Sequence, residues 1–400
     1  MTIKKSSVEI MANPKAVIAQ FLSLPGNNRV VNVIERVQKL TEEQTAHLLQ
    51  KVMNDFGNRH RNLQLIFTQH LEQIQKSHAH LLSSFSEEKK ALLGAFFTKE
   101  YSIQSAALFN PSIVPHPDQH NVKKGEQRFI MSMRATGEGH ISSIVFQTGI
   151  LDANNEIHLD ETSVFFTPLQ KTANALYSKE FLKNRIFNHD GFDTDWIDRL
   201  PSSFTVDEAI FCAKQNMANT NQALSMVEKM TEIFDADYEL ERAATLPLSE
   251  CVIFPNAKSE CMGMEDVRLV PFLHENKTTY YGTYTAYDGM QIKSKLIETD
   301  DFFHFKIRTL QGAAISDKGM ALFPEMVNGK YAMIARQGGE TINIMFSNDL
   351  YRWDEYQTLL TPQYEWELVQ LGNCGSPIKT EKGWLLLTHG VGMMRTYVIS

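Results

Sequence analysis

The sequence predicts a mainly β protein with helical additions. Three observations carry this. The first hundred residues place apolar side chains at helical spacing. From Ser102 the texture changes to short alternating runs separated by Gly, Pro, Asn and Asp clusters. A helical stretch at about 172–234 then interrupts that β texture. The expected organisation is a helical region over 1–100 and a β region over 101–400 that carries the insertion.

In the first region, Asn13-Pro14 reads as a capping residue and a proline opening a helix. Val30 to Val37 is apolar at helical spacing. Thr41-Glu42-Glu43-Gln44 offers a capping-box start, continued by Leu48, Leu49, Val52, Met53 and Phe56. Leu63, Ile66, Phe67, His70, Leu71 and Ile74 form the next stripe, which runs on towards Leu82. Ser86-Glu87-Glu88-Lys89 starts a further helix that ends near Phe97. His78 and His80 are two apart and so do not share a helical face. With His70 they read as surface or core histidines rather than metal ligands.

In the second region the expected strands are 129–133, 141–146, 157–159, 279–284, 331–335, 341–346 and 384–388. The insertion is expected as helices over Thr172 to Arg185 and Val206 to Phe234, the latter started by Phe204-Thr205-Val206-Asp207-Glu208. Many short strands with frequent turns imply a sandwich, a barrel or a propeller. A recurrence favours the propeller. Asn328-Gly329-Lys330-Tyr331 and Glu381-Lys382-Gly383-Trp384 are both polar-Gly hairpin tips that lead into an apolar strand. Ser347-Asn348-Asp349-Leu350-Tyr351-Arg352-Trp353 is similar to an aspartate-box turn. Hairpins of any β fold share these traits.

Composition bounds the function. With 43% hydrophobic and 22% charged residues the chain is ordinary globular protein. A net charge of −8 argues against a nucleic-acid surface. No apolar run reaches the length of a membrane span, and the Met1–Ser7 stretch is followed by no apolar signal core. Cys212, Cys251, Cys261 and Cys374 have no CxxC spacing, so reduced thiols are expected rather than a zinc site or a disulfide framework. These readings point to the cytoplasm.

One segment stands out: Gly263-Met264-Glu265-Asp266-Val267-Arg268-Leu269. Period-2 alternation puts Glu265 and Val267 on one face and Asp266 and Arg268 on the other. Asp beside Arg is either a structural ion pair or a carboxyl tuned for chemistry. Four further clusters carry polar groups. In Phe109–Pro117, Asn110 and Ser112 share a face and could meet a sugar or an anion, or simply make a strand-entry turn. In Arg134-Ala135-Thr136-Gly137-Glu138-Gly139-His140, two glycines let the backbone turn and present Arg134, Glu138 and His140 together. Lys318-Gly319 through Pro324-Glu325 is followed by Arg336. Last comes Glu365-Trp366-Glu367, then Gly372-Asn373-Cys374-Gly375-Ser376-Pro377, Lys379 and Thr388-His389-Gly390. Trp366 either stacks on a sugar or fills a core.

In this order the clusters resemble glycoside hydrolase family 130, the β-mannoside phosphorylases and β-1,2-mannosidases. The likeness runs from about Ala106 onward, outside the insertion. Asn-Pro-Ser-Ile-Val-Pro-His-Pro, Arg-Ala-Thr-Gly-Glu-Gly-His and Gly-Asn-Cys-Gly-Ser-Pro look most like the hydrolase-containing branch. The resemblance implies a five-bladed β-propeller with its site at the mouth of the central channel. It also implies inversion at the anomeric carbon and no metal or organic cofactor. Relative to the family, the chain looks truncated at its C-terminus, after Tyr397-Val398-Ile399-Ser400.

By the same resemblance Asp266 is the general acid, with Val267 where the family more often has Pro. Arg268 is expected to hold the segment in place. Lys318, Arg336, Lys379 and His389 resemble the phosphate-binding set, without the second arginine expected near Lys318. Glu325, Glu340 and Glu367 are candidate bases for water, Glu367 slightly preferred. Asn110, Ser112, Arg134, Glu138 and His140 fall among the sugar-binding positions. The leading expectation is an inverting β-1,2-mannosidase. A β-mannoside phosphorylase using inorganic phosphate as co-substrate comes second, and a catalytically impaired sugar-binding propeller third. The expected partner is a small β-mannoside oligosaccharide, with no nucleic acid and no membrane, in a possible homo-oligomer.

Overall fold

The computed structural model describes residues 6–186, 194–217, 220–316 and 318–400. The chain begins with a correction: Asn13-Pro14 does not open a helix. Asn13 Oδ1 accepts from Lys15 N at 3.0 Å and Asn13 O accepts from Ala16 N at 2.9 Å, which closes a turn. Strand β1 (Val17–Phe21) follows. Val17 and Ile18 are β-branched and buried, which suits a strand better than a helix start.

Helices α1 (Asn27–Gln38), α2 (Glu42–Phe56), α3 (Leu63–His78) and α4 (Glu87–Phe96) come next, where the periodicity placed them. Thr41 Oγ1 accepts from Gln44 N at 3.1 Å, and Gln44 Oε1 accepts from Thr41 N at 2.9 Å. This reciprocal cap stabilises α2 by about 1 kcal/mol. The helices bury one core of Ile34, Val37, Leu71, Ile74, Leu93 and Phe97. His70 and His78 are buried, against Thr98 Oγ1 and Asn27 Oδ1, each at 2.7 Å. Strand β2 (Thr98–Ser102) then returns to pair with β1. The region docks on the β part through an Arg61–Glu250 ion pair and through Tyr101, whose ring meets Phe254 edge-on at 5.3 Å.

The β region starts with an antiparallel meander of β3 (Ala107–Pro115), β4 (Gln127–Thr136), β5 (Ser142–Leu151) and β6 (Ile157–Leu159). Short strands β7 (Thr167–Pro168), β8 (Gln170–Lys171) and β9 (Tyr177–Ser178) lead into the insertion. It contains α5 (Lys179–Ile186), β10 (Ser203–Phe204), α6 (Val206–Asn216) and α7 (Thr220–Ala236) around its own core, which includes Trp196, Phe204, Met226 and Met230. The helix expected from Thr172 starts only at Lys179, because Thr172 N donates to Glu239 O and Tyr177-Ser178 pair with β10. Thr205 and Glu208 form the cap of α6.

After β11 (Glu239–Glu241) and β12 (Cys251–Ile253) comes a second meander: β13 (Gly263–His274), β14 (Lys277–Tyr287), β15 (Ile292–Thr299) and β16 (His304–Thr309). A third follows: β17 (Ala321–Leu322), β18 (Tyr331–Ala335), β19 (Ile342–Ser347) and β20 (Gln357–Leu360). Its Asn328-Gly329 tip has positive φ at both residues (52° and 76°), as a two-residue hairpin requires. The Ser347–Trp353 turn is closed by Ser347 Oγ donating to Arg352 O at 2.6 Å and Tyr351 N donating to Asp349 Oδ1 at 2.8 Å.

The chain finishes with β21 (Gln370–Asn373), β22 (Ile378–Thr380), β23 (Gly383–Leu385), β24 (Thr388–Val391) and β25 (Tyr397–Ile399). The expected strand 384–388 is split, because β23 pairs with β22 while β24 joins β21 and β25. The first two meanders belong to one twelve-stranded sheet, and among the described residues the pairings define no closed barrel or ring. The fold is mainly β with helices. Among the described residues no helix is long and apolar enough to cross a membrane.

Candidate active site

The first strands of the first two meanders share one irregularity. In β13, Glu265 pairs with Thr285 and Arg268 with Thr283, so one extra residue stands between them. In β3, Phe109 pairs with Arg134 and Ser112 with Ser132, again with one extra residue. The bulges hold Asp266 at φ 58° and Asn110 at φ 53°. Asp and Asn tolerate this left-handed conformation best among residues with a side chain. Ser112 Oγ accepts from Leu269 N at 2.9 Å and ties the two bulged strands together.

The bulge overturns the expected alternation. An inserted residue shifts the side-chain phase, so Glu265 and Asp266 reach the same partner. Arg134 Nη1 donates to Asp266 Oδ1 at 2.9 Å and Arg134 Nη2 to Glu265 Oε1 at 2.8 Å. Its Nε donates to Ser142 Oγ at 2.9 Å, and its guanidinium carbon lies 4.9 Å from the centre of the Phe109 ring. Lys318 Nζ donates to the other Glu265 oxygen at 2.6 Å. The residue that grips Asp266 is therefore Arg134, not Arg268 as expected from the local segment.

Arg268 turns the other way. Its Nη2 donates to Asn373 O at 3.1 Å and its Nη1 to Met320 O at 3.4 Å. Burial pulls its pKa down to about 10; the Asp266 charge opposes this and Arg336 adds to it. Arg268 and Arg336 meet around Gly319 (φ 89°), where a Cβ would stand 3.4 Å from Arg268 Nη1 and 3.4 Å from Arg336 Cβ. At Gly372 a Cβ would stand 2.7 Å from the His389 ring and 3.1 Å from Arg336 Nη1. Burial, then Arg268 and Arg336, push His389 below the ordinary histidine range, which favours its neutral form. A small space behind Asp266 is lined by Arg268, Thr283, Thr285, Ser294 and Gly319 and has about 10 Å³ of room, enough for one water.

The remaining expected residues lie as follows. Asn110 is exposed, beside Arg134 in the ladder. Glu138 turns back to accept from Ser102 N at 3.0 Å, and His140 is exposed with φ 61°. The glycine turn thus does not gather Arg134, Glu138 and His140: Arg134 points from β4 towards Asp266. Glu325 pairs with Lys379 of the β22–β23 hairpin. Glu340 is exposed, and its carbonyl accepts from Leu371 N. Glu367 is buried, and its Oε1 accepts from Gln363 N at 2.8 Å and Tyr364 N at 3.1 Å. Trp366 stacks on Tyr364, with ring centres 5.6 Å apart.

Two residues of the cluster were not singled out from sequence. Glu265 joins Arg134 to Lys318, and its signal was adjacency to Asp266 once a bulge is allowed. Asn373 is fully buried, and its Oδ1 has no hydrogen-bond partner among the described residues. A buried unsatisfied acceptor at a site calls for a donor. Among the described residues no group of three or more His, Cys, Asp or Glu side chains could hold a metal ion.

Asp266, Glu265, Arg134 and Lys318 thus form one cluster beside Arg268, Arg336 and His389 on a mainly β frame, and the comparisons say what it is similar to. Residues 225–398 match the family model Glyco_hydro_130, described as beta-1,4-mannooligosaccharide phosphorylase. Over these residues the chain is similar to glycoside hydrolase family 130. It is 31% identical over 156 residues to the 1,2-beta-oligomannan phosphorylase of Thermoanaerobacter sp. (strain X514), covering 38% of this chain and 50% of that protein. It is 30% identical over 155 residues to the beta-1,2-mannobiose phosphorylase of Listeria innocua serovar 6a, covering 37% and 42%. The chain thus spans about half the length, or less, of these curated relatives. The solved Listeria innocua beta-1,2-mannobiose phosphorylase, in complex with beta-1,2-mannobiose, superposes with a TM-score of 0.38 at 20% identity, over 75% of this chain and 71% of that one.

Proposed function

We propose that this chain is an inverting β-mannoside phosphorylase, acting on β-1,2-linked mannosides with inorganic phosphate as co-substrate. The observation that carries the reading is the juxtaposition of Arg268, Arg336 and neutral His389 around Gly319 and Gly372, beside Asp266. Two guanidinium groups brought together with burial repel one another, and an anion between them relieves the cost. Inorganic phosphate is such an anion. The phosphorylase reading therefore moves ahead of the hydrolase reading that the sequence put first.

In this reading Asp266 supplies the proton that reaches the leaving glycosidic oxygen, directly or through a sugar hydroxyl. A phosphate oxygen attacks the anomeric carbon from the opposite face. The glycosidic C–O bond breaks, and α-mannose 1-phosphate and the shortened sugar leave. Arg134 and Lys318 hold Glu265 and Asp266 in register. Asn110 and His140, both exposed, lie on the sugar side, Ser112 and Glu138 brace the strands behind it through Leu269 N and Ser102 N, and Lys379, Glu325 and Glu340 form the outer rim. The three antiparallel meanders are taken as blades of a five-bladed propeller whose channel mouth holds the site, and the protein as a cytoplasmic enzyme.

A hydrolytic variant is favoured by one observation. Glu367 is buried, and its Cβ would lie 2.6 Å from a Cβ placed on Gly390, the residue after His389. There it could activate a water as general base.

The test is incubation with β-1,2-mannobiose, with and without inorganic phosphate. Mannose 1-phosphate formed only with phosphate supports phosphorolysis. Mannose released equally without phosphate overturns it in favour of the hydrolase. Binding without turnover under either condition supports the impaired sugar-binding reading.

A further inference from the structure

One row of side chains crosses the second meander at a single level. Tyr281 stands opposite Glu298, Glu298 opposite Lys306, and Lys306 opposite Glu239 of β11. Residues paired in this way share a face of the sheet, and Arg308, two positions beyond Lys306, shares it too. A sheet face that only packs on a neighbour would be apolar. This one presents a tyrosine, two glutamates, a lysine and an arginine to a cleft of about 1020 Å³. Helix α5 and the Ser347–Trp353 turn of the third meander complete its walls.

The charges in this cleft balance. Glu180, Glu239, Glu298 and Asp349 line it together with Arg185, Lys306, Arg308 and Arg352. Four of each sign argue against a strongly charged ligand. Arg308 Nη2 donates to Glu239 Oε1 at 2.7 Å, and its guanidinium lies 5.2 Å from the Phe181 ring centre. Glu298 accepts from Tyr351 Oη at 2.7 Å, and a carboxylate has room for further donors. Burial pushes the Glu298 carboxyl up, with the Tyr351 hydroxyl and Arg308 opposing. Arg185 and Arg352 pair with Asp237 and Asp354 just outside the lining, and aromatic faces beside the Arg308–Glu239 pair suit a ligand with C–H faces and many hydroxyls. None of these wall residues belongs to the Asp266–Arg134 or Arg268–Arg336–His389 groups.

We propose that the cleft between α5, the second meander and the Ser347–Trp353 turn is a second carbohydrate site, separate from the reaction centre. It holds a neutral oligosaccharide segment. The choice of a mannooligosaccharide as occupant rests on the proposed function; the presence of a sugar site does not.

The experiment is calorimetric titration of β-1,2-mannohexaose, and separately of cellohexaose, into Asp266→Asn protein and into the same protein carrying Lys306→Ala or Asn348→Ala. Both added changes are at exposed positions of the cleft. Two binding events for mannohexaose are expected, one of them weakened about fivefold by either change. Mannobiose turnover by protein that keeps Asp266 should be unaffected by Lys306→Ala or Asn348→Ala. A single event insensitive to both changes, for both sugars, overturns the inference. A sensitive event seen only with cellohexaose keeps the site and rejects mannose as its sugar. A sensitive event in a chain that does not turn over mannobiose keeps the site and rejects the proposed reaction.

Discussion

Arg134 holds Asp266 and its neighbour Glu265 at once, one guanidinium nitrogen to each carboxylate, at 2.9 and 2.8 Å. Adjacent residues of a regular strand face opposite ways, so this grip exists only because β13 bulges at Asp266. Arg134→Ala would leave two neighbouring carboxylates without their shared cation. Its expected cost is about 3 kcal/mol of stability, with a larger fall in kcat than rise in KM. Arg134→Lys, which cannot reach both groups with a planar fork, should restore stability more than turnover. Chemical denaturation and steady-state kinetics on both variants check this.

Gly372 lets His389 and Arg336 close on one point. In Gly372→Ala the new Cβ would meet the His389 ring at 2.7 Å, which side chains do not tolerate without moving. The expected outcome is a rise in the KM for phosphate of about tenfold, or about 1.4 kcal/mol, with β-1,2-mannobiose affinity little changed. Initial rates over a phosphate series read this directly.

His389 gives a pH signature. Burial, Arg268 and Arg336 lower its folded pKa from 6.5, so the folded state disfavours its protonation. As pH falls from 6.5 through the lowered folded value, the unfolded state takes the proton first and stability is lost over that window. In the proposed reading, phosphate bound among the cations is expected to reverse part of the shift. The His389 ring signal in an NMR titration should move up in pKa when inorganic phosphate is added, and sulfate at equal ionic strength should act in the same direction.

Stability at low pH has a separate origin. Lys295 Nζ donates to Glu260 Oε1 at 2.6 Å with both side chains fully buried, and the hydroxyls of Tyr238 and Tyr284 donate to the same carboxylate at 2.8 and 2.6 Å. Burial alone raises the Glu260 pKa, but Lys295 and the tyrosines outweigh it, and the net shift is below 4.5. A depressed carboxyl stabilises the fold above the unfolded pKa, and the contribution is lost as pH falls below 4.5 through the folded value. Lys295→Met should cost about 3–5 kcal/mol at neutral pH, because it leaves a buried carboxylate without its cation. Thermal unfolding between pH 3 and 7 measures both effects.

Much of this was legible in the sequence. The capping boxes at Thr41 and Thr205, the Asn328-Gly329 hairpin and the strands at 157–159 and 331–335 are local, and local chemistry decided them. Asn13-Pro14 misled because a capping residue before proline also makes a turn into a strand. The strand 384–388 was split because its pairing partners lie in different sheets, which spacing does not encode. At the site, the motif marks Asp266 as a candidate. It does not mark the partner, since Arg134 is 132 residues away and the bulge that joins them breaks the alternation the reading relied on. Glu265 and Asn373 were missed for the same reason: their roles appear only when β4, β13, β21 and the Lys318-Gly319 turn come together.

The central claim is that Asp266 delivers the proton to the leaving sugar. It is tested most directly by the turnover of β-1,2-mannobiose by Asp266→Asn in phosphate, with substrate binding measured on the same preparation. A fall in kcat of about 10³-fold with binding retained is the expected result. Turnover within a few-fold of the unaltered protein would contradict the assignment and, with it, the site as described.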